Sequence, residues 1–216
     1  MSKKIKAVIF DLDGTIADSF HIGLAVANEL APKYKYKIIE DSPIIRDLSF
    51  REFLLSHLNL GKIRLIFWAR EIRRIISQKT GDIKIFPGIK DMLETLSKDC
   101  RLGILTSNST KNALQILENN GIGNYFSFMY TNCSAFGKWA HLKKLLKTEK
   151  YTREEVIYVG DEIRDIDSCK IVHIPIIAVT WGGNSAKALM QTGADYYAYM
   201  PSDIPAIIRM INTEQR

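Results

Sequence analysis

Residues 5–15, reading IKAVIFDLDGT, limit what this chain can fold into more than any other stretch. Ile5, Val8, Ile9 and Phe10 make an apolar, β-branched run that reads as a buried strand, and Gly14-Thr15 stops it in a turn. Side chains alternate along an extended chain, so Asp11 and Asp13 point the same way while Leu12 faces the other side. Two carboxylates held in one small space repel unless a cation or a shared proton relieves them. In an open α/β sheet the carboxyl ends of strands are where ligands bind, so the stretch predicts a Mg²⁺ site at a strand exit. The plainer alternative is a polar strand-end turn with Asp as a turn former.

The rest of the chain alternates in kind. Apolar runs at Leu102 to Leu105, Phe128 to Thr131, Val156 to Val159 and Ile174 to Val179 predict four more strands, with a short extended piece at Asp195 to Tyr199. Helical patterns lie between them, from Ile89 to Lys98, Lys111 to Asn120, Trp139 to Lys147, after Asp165 to Val172, Ser185 to Gln191 and Ser202 to Met210. The expected architecture is a doubly wound parallel α/β sheet with right-handed crossovers.

Residues 17–84 break that alternation. A helix capped by Asp18 or Ser19 is expected to run to about Leu30 and to be closed by Pro32, followed by irregular chain over 33–48. Ser49 with Glu52 forms a capping box that opens a helix to about Leu58. From Lys62 to Lys79, Ile63, Ile66, Phe67, Ile72, Ile75 and Ile76 fall at helical spacing and predict a strongly amphipathic helix. The interval contains no clear strand and reads as an inserted helical lobe. The core is expected to comprise 1–16 and 85–216, and the lobe 17–84.

A chain of 216 residues, 46% of them apolar, suits one such domain with a small second lobe. The net charge of +6 admits nucleic acid, a membrane surface or anionic small molecules as partners. Its basic residues, however, are spaced as the wet faces of amphipathic helices with no aromatic interleaving, so neither nucleic acid nor membrane is expected. Cys100, Cys133 and Cys169 are odd in number and far apart, which argues against a disulfide framework or a zinc site. The N-terminal MSKKIKAVIF enters a strand after a few basic residues and resembles no signal peptide, so a cytoplasmic location is expected.

The unusual polar clusters all follow apolar strands at their carboxyl ends. Asp11 as a nucleophile, Asp13 as a second acid, Ser107 as a hydroxyl, Lys138 as a cation, and Asp161 with Asp165 as a further acidic pair match the parts needed to move a phosphoryl group. Lys138 and Mg²⁺ would supply positive charge, and Ser107 with backbone amides the donors. A set of hard oxygen ligands favours Mg²⁺ over zinc. Taken singly, Ser107 and Asn108 also suit a helix cap, Lys138 a surface lysine, and the acidic pair a solvated helix start.

DLDGT at 11–15, TSN at 106–108, Lys138, and GDEIRD at 160–165 resemble, in order, the four motifs of the haloacid dehalogenase (HAD) superfamily. The lobe's position resembles the helical cap of the phosphoglycolate-phosphatase-like branch. The resemblance implies a Rossmann-like core and a Mg²⁺-dependent phosphatase acting on a small phosphorylated metabolite, as a monomer or homodimer. It implies that Asp11 attacks phosphorus to form an aspartyl-phosphate and that Asp13 protonates the leaving oxygen and then activates water. Ser107 and Lys138 would hold phosphoryl oxygens, and Gly14, Thr15 and Asn108 would shape the phosphate cradle. Asp11, Asp13 through its backbone carbonyl, and Asp161 would hold the metal, with Asp165 in support.

Substrate choice would then fall to the lobe, where Arg46 and Arg51 are the candidate cations for a carboxylated substrate. Asp13 separates this chain from dehalogenases, which lack an acid there. It does not separate a phosphatase from a β-phosphoglucomutase-like enzyme. A basic binding or regulatory protein on the same fold is the rival from another class.

Overall fold

Apolar runs of four or five residues give strands, and the amphipathic segments between them give helices that cover both faces of the sheet they build. The computed structural model describes residues 4–134 and 137–214. Ala7–Phe10 (β1) is followed by the helices Phe20–Tyr34 (α1), Pro43–Arg46 (α2), Phe50–Phe53 (α3) and Lys62–Lys79 (α4). The chain then alternates: Ile89–Ser97 (α5), Arg101–Leu105 (β2), Thr110–Asn119 (α6), Phe126–Tyr130 (β3), Lys138–Glu149 (α7) and Val156–Gly160 (β4). It ends with Ile163–Val172 (α8), Ile176–Val179 (β5), Ala186–Thr192 (α9), Tyr196–Ala198 (β6) and Asp203–Glu214 (α10).

Among the described residues the strands form one parallel sheet in the order β3-β2-β1-β4-β5-β6. β1 is central, with Phe10 level with Ile104 of β2 and Val159 of β4. The chain winds outward from β1 in one direction and from β4 in the other, which leaves a crevice at their carboxyl ends. Alternation sorts the side chains by face: Val8, Phe10, Ile157 and Val159 enter one apolar core, and Ala7, Ile9, Val156 and Tyr158 enter the other. α5, α6 and α10 cover the first face through Leu93, Ile116 and Ile208; α7, α8 and α9 cover the second through Leu142, Ile166 and Leu189.

The lobe has an apolar cluster of its own, built on Ala27, Leu30, Tyr34, Ile39, Leu58 and Trp68. Its details depart from the sequence expectations in several places. Ser19 precedes α1 without a side-chain capping bond, and the helix begun at Phe50 widens to a π-helical turn over Leu54–Leu58. α1 runs past Pro32 to Tyr34, because Ala31 and Tyr34 are buried in the lobe's core and Lys35 closes the helix in the left-handed conformation, its N–H donating to Ala31. The interval 33–48 contains α2, whose first turn is capped by the Ser42 side chain accepting from Ile45 N–H. On α4 the stripe facing the lobe is Leu65, Trp68, Ala69, Ile72 and Ile75, while Ile63, Ile66 and Phe67 are exposed. The helix is apolar over a wider arc than its neighbours cover. The Ser49–Glu52 capping box forms as expected, with Ser49 N–H donating to the Glu52 carboxylate at 2.8 Å.

Candidate active site

β1 ends at Phe10, and the next residue, Asp11, still pairs with the sheet, its N–H donating to Val159 at 2.9 Å. That bond fixes the carboxylate at the centre of the sheet edge, buried, where Leu12 N–H donates to its Oδ1 at 2.8 Å. The chain then turns sharply. Ile16 and Ala17 N–H groups both return to Leu12 carbonyl, and Gly14 adopts φ +77°. Only glycine fits there, since a Cβ on Gly14 would lie 2.1 Å from Asp161 Oδ2.

β4 delivers the opposing acids. Asp161 follows the strand and is held at both oxygens, Oδ1 accepting from the Thr15 hydroxyl and Oδ2 from Gly183 N–H, each at 2.7 Å. Asp165, one turn into α8, accepts from Glu162 N–H at 3.2 Å and so closes the start of its helix. Lys138, the first residue of α7, reaches in from the second face of the sheet. Its ammonium donates to Asp11 Oδ2, to Asp165 Oδ1 at 2.6 Å and to the Tyr158 hydroxyl at 3.2 Å. Carboxylate oxygens of Asp11, Asp161 and Asp165, all buried, lie within 4.8 Å of one another.

One buried ammonium among three buried carboxylates leaves the cluster electrostatically short of positive charge. Burial pushes the Asp11 carboxyl up to about 6 despite the opposing pull of Lys138. Burial, reinforced by repulsion from Asp11 and Asp165, pushes Asp161 up to about 7. Burial works against the Lys138 ammonium, but Asp11 and Asp165 more than offset it and hold Lys138 charged, above its ordinary range. An all-oxygen donor set with excess negative charge in so small a volume fits a hard divalent cation.

Asp13 stands apart from this trio. It is half-buried and lines the cleft above the sheet edge, where Asn108 Nδ2 donates to its Oδ2 at 3.0 Å. Asn108 is itself positioned by Asn112 Nδ2 at 3.1 Å, and Asn112 in turn accepts from Ser77 of α4 at 2.8 Å. Ser107, at the end of β2, also lines the cleft with Gly14. Asp11, Asp13, Gly14, Ser107, Asn108, Asp161 and Asp165 therefore lie together at the carboxyl edge of the sheet, and Lys138, which no strand end marks in the sequence, reaches the same place from α7. Thr15 is there too, but its buried hydroxyl is given to Asp161.

Arg46 is not among the residues lining the cleft. Asp41, five residues earlier, takes its guanidinium in a two-point bond (2.7 and 2.9 Å), and Nη1 donates to Gly182 carbonyl at 3.0 Å. It stitches the lobe to the loop after β5. The same loop returns the contact: Ser185 N–H and Asn184 Nδ2 donate to Arg46 carbonyl, and Asn184 Nδ2 also to Leu48 carbonyl.

Sequence reasoning passed over Tyr158, Asn112, Gly183 and Asn184 as site-building residues. The one local signal for Tyr158 is a phenol in an otherwise aliphatic strand, VIYVG. The glycine pair directly after β5 is the corresponding signal for the loop that holds Asp161.

These geometric features define a phosphatase-type site at the edge of a Rossmann-like sheet, and the chain belongs to the haloacid dehalogenase-like hydrolases, whose family model matches residues 8–179. A phosphoglycolate phosphatase from Synechococcus elongatus is 33% identical over 207 residues, covering 93% of this chain and 95% of that protein. One from Yersinia pestis is 26% identical over 224 residues, covering 95% and 94%. Among solved structures, a haloacid dehalogenase-like family hydrolase from Streptococcus pneumoniae superposes with a TM-score of 0.79 at 27% identity, over 94% of this chain and 98% of that one. A structure from Clostridium acetobutylicum described as a predicted phosphatase gives 0.84 at 21% identity, over 96% and 99%, and supports the fold. Among the described residues no helix is long and apolar enough to cross a membrane.

Proposed function

We propose that this phosphatase hydrolyses a small phosphomonoester in a Mg²⁺-dependent reaction through an aspartyl-phosphate on Asp11. The observation that carries the reading is the buried Lys138 ammonium bridging Asp11 and Asp165, with Asp161 beside them and Asp13 facing the cleft. Asp11, Asp161 and Asp165 would hold Mg²⁺, with the Asp13 carbonyl, and the ion would supply the positive charge that the trio lacks. An Asp11 oxygen forms a bond to phosphorus as the bond to the leaving oxygen breaks, and Asp13 gives that oxygen its proton. Asp13, now a carboxylate, takes a proton from water, whose oxygen attacks phosphorus and frees Asp11 with release of inorganic phosphate. Lys138 keeps the Asp11 carboxylate oriented and balances charge on the phosphoryl oxygens, while Ser107 and the Gly14 turn offer the cradle.

The relatives' names suggest phosphoglycolate-like or sugar phosphates as substrates. The lobe would act as the cap over the cleft. Three free, buried cysteines support a reducing compartment, the cytoplasm. Asp11→Asn is expected to reduce Mg²⁺-dependent phosphate release from an aryl phosphate by at least about a thousandfold with the far-UV spectrum unchanged. Full activity in that variant would overturn the mechanism.

A further inference from the structure

The cleft over Asp13 has a volume of about 390 Å³, far more than a phosphoryl group and a two-carbon acid occupy. Its floor is polar and belongs to the sheet edge. Its roof is not: between residues 19 and 76 every side chain that lines it except Ser19 and Arg73 is apolar. Part of that roof is the lobe's own core showing through, since Leu24, Ala27, Ile45, Phe53, Trp68 and Ile72 also hold the lobe together. Phe20, Leu48, Phe50 and Ile76 belong to none of the three apolar cores, are half-buried, and line the cleft. Two of the rings are held in place by guanidinium groups, Arg46 lying 4.2 Å from the centre of Phe20 and Arg164 lying 5.0 Å from that of Phe50.

The cations near the cleft do not suit a small carboxylated substrate. Arg46 is committed to Asp41, and Arg164 of the lining is paired with Glu162. Arg73 lines the cleft but is exposed on α4, so a carboxylate that paired with it would do so in water, where such a pair is worth little. A carboxylate carried past Arg73 against the apolar side chains would exchange water for hydrocarbon, which is unfavourable, whereas a ring or branched chain would gain from the same surface.

We infer that the leaving group of the preferred substrate is a bulky apolar alcohol or a phenol, seated against Phe20, Leu48, Phe50 and Ile76, rather than glycolate. The inference rests on the phosphatase reading of the same site, and binding separates the two. By calorimetry with Mg²⁺ present, 2-naphthylmethylphosphonate is expected to bind at least about tenfold more tightly than 3-phosphonopropionate, the phosphonate counterpart of phosphoglycolate. Leu48→Asn and Ile76→Asn, both outside the apolar cores, are expected to bring that ratio down towards one. Equal or tighter binding of 3-phosphonopropionate by the wild-type protein, or no binding of the naphthyl ligand, would overturn the assignment. Failure of 2-naphthyl phosphate and phosphoglycolate alike to release phosphate would instead count against the hydrolase chemistry and leave the binding comparison standing.

Discussion

The sheet edge and the helical lobe above it solve opposite problems. At the edge, Asp11, Asp161, Asp165 and Lys138 are ionisable, buried and held by backbone that is itself locked into β1, β4, α7 and α8. Hydrogen bonds hold them, with Lys138 joining Asp11 to Asp165 and Thr15 and Gly183 holding Asp161. In the lobe the cleft-facing side chains are mostly apolar, and its polar contacts to the core include a seam where α2 meets the loop at 182–185 and the Ser77–Asn112 bond. Rigid charge placement suits a step in which a phosphoryl group must be positioned to a fraction of an ångström, and non-directional apolar contact suits recognition of a leaving group. On the proposed reading, chemistry and selectivity fall to surfaces with different physics.

The contrast breaks most severely at Lys138. Lys138→Met leaves two buried carboxylates without their cation, so a loss of about 3–5 kcal/mol in stability is expected from urea unfolding. Phosphate release should fall at least about a hundredfold in the same variant. A stable, active Lys138→Met would mean that the ammonium is a bystander.

Removing the divalent cation tests the same cluster more gently. Asp11 at about 6 and Asp161 at about 7 lie above the ordinary carboxylate value, so the folded, metal-free protein holds extra protons between about pH 4 and 7. The contribution of these two groups to stability is therefore complete near pH 4 and is lost as pH rises through 6 and 7. A Mg²⁺ ion held there as proposed would compete with those protons, so its stabilisation should be absent near pH 4 and grow across that window to about 2.7 kcal/mol at a hundredfold excess over Kd. Thermal unfolding with Mg²⁺ or with chelator, at several pH values, measures the difference; a shift independent of pH would place the cation elsewhere.

At the seam the effect is expected to be smallest. Asn184→Ala removes two donated bonds to the lobe and the acceptor of Ile163 N–H, and should cost about 1–3 kcal/mol. KM should rise more than kcat falls, and limited proteolysis should cut faster within 41–61. An unchanged cleavage pattern would show that the lobe is held without the Asn184 bonds.

The sheet edge was legible in the sequence because its parts are local. A strand, a turn and an acid are encoded within DLDGT, and a strand running into GDEIRD repeats the device, so each cluster could be placed at a strand end before any tertiary contact was known. Lys138 carries no local signal beyond the start of a helix, and its role came through resemblance. The lobe was less legible. Arg46 looks like an available cation in sequence, but Asp41 five residues away captures it, a pairing that depends on how the chain bends into α2. Ile63, Ile66 and Phe67 match helical spacing as well as the residues that are buried, and only the placement of α1 decides which arc of α4 is covered. The roof of the cleft gathers residues from α1, α3, α4 and the turn after α2, which no single periodicity joins.

Gly182 to Ser185 touch both surfaces at once. Gly183 N–H grips Asp161, while Asn184 and Ser185, the next two residues, grip the backbone of the lobe. A four-residue loop is too short to yield at one end without moving the other. Thermodynamic reciprocity then applies: if seating the lobe steadies Asp161, occupation at Asp161 must steady the lobe by the same free energy. On that condition, the seating of the lobe and the occupation of Asp161 are two readings of one equilibrium.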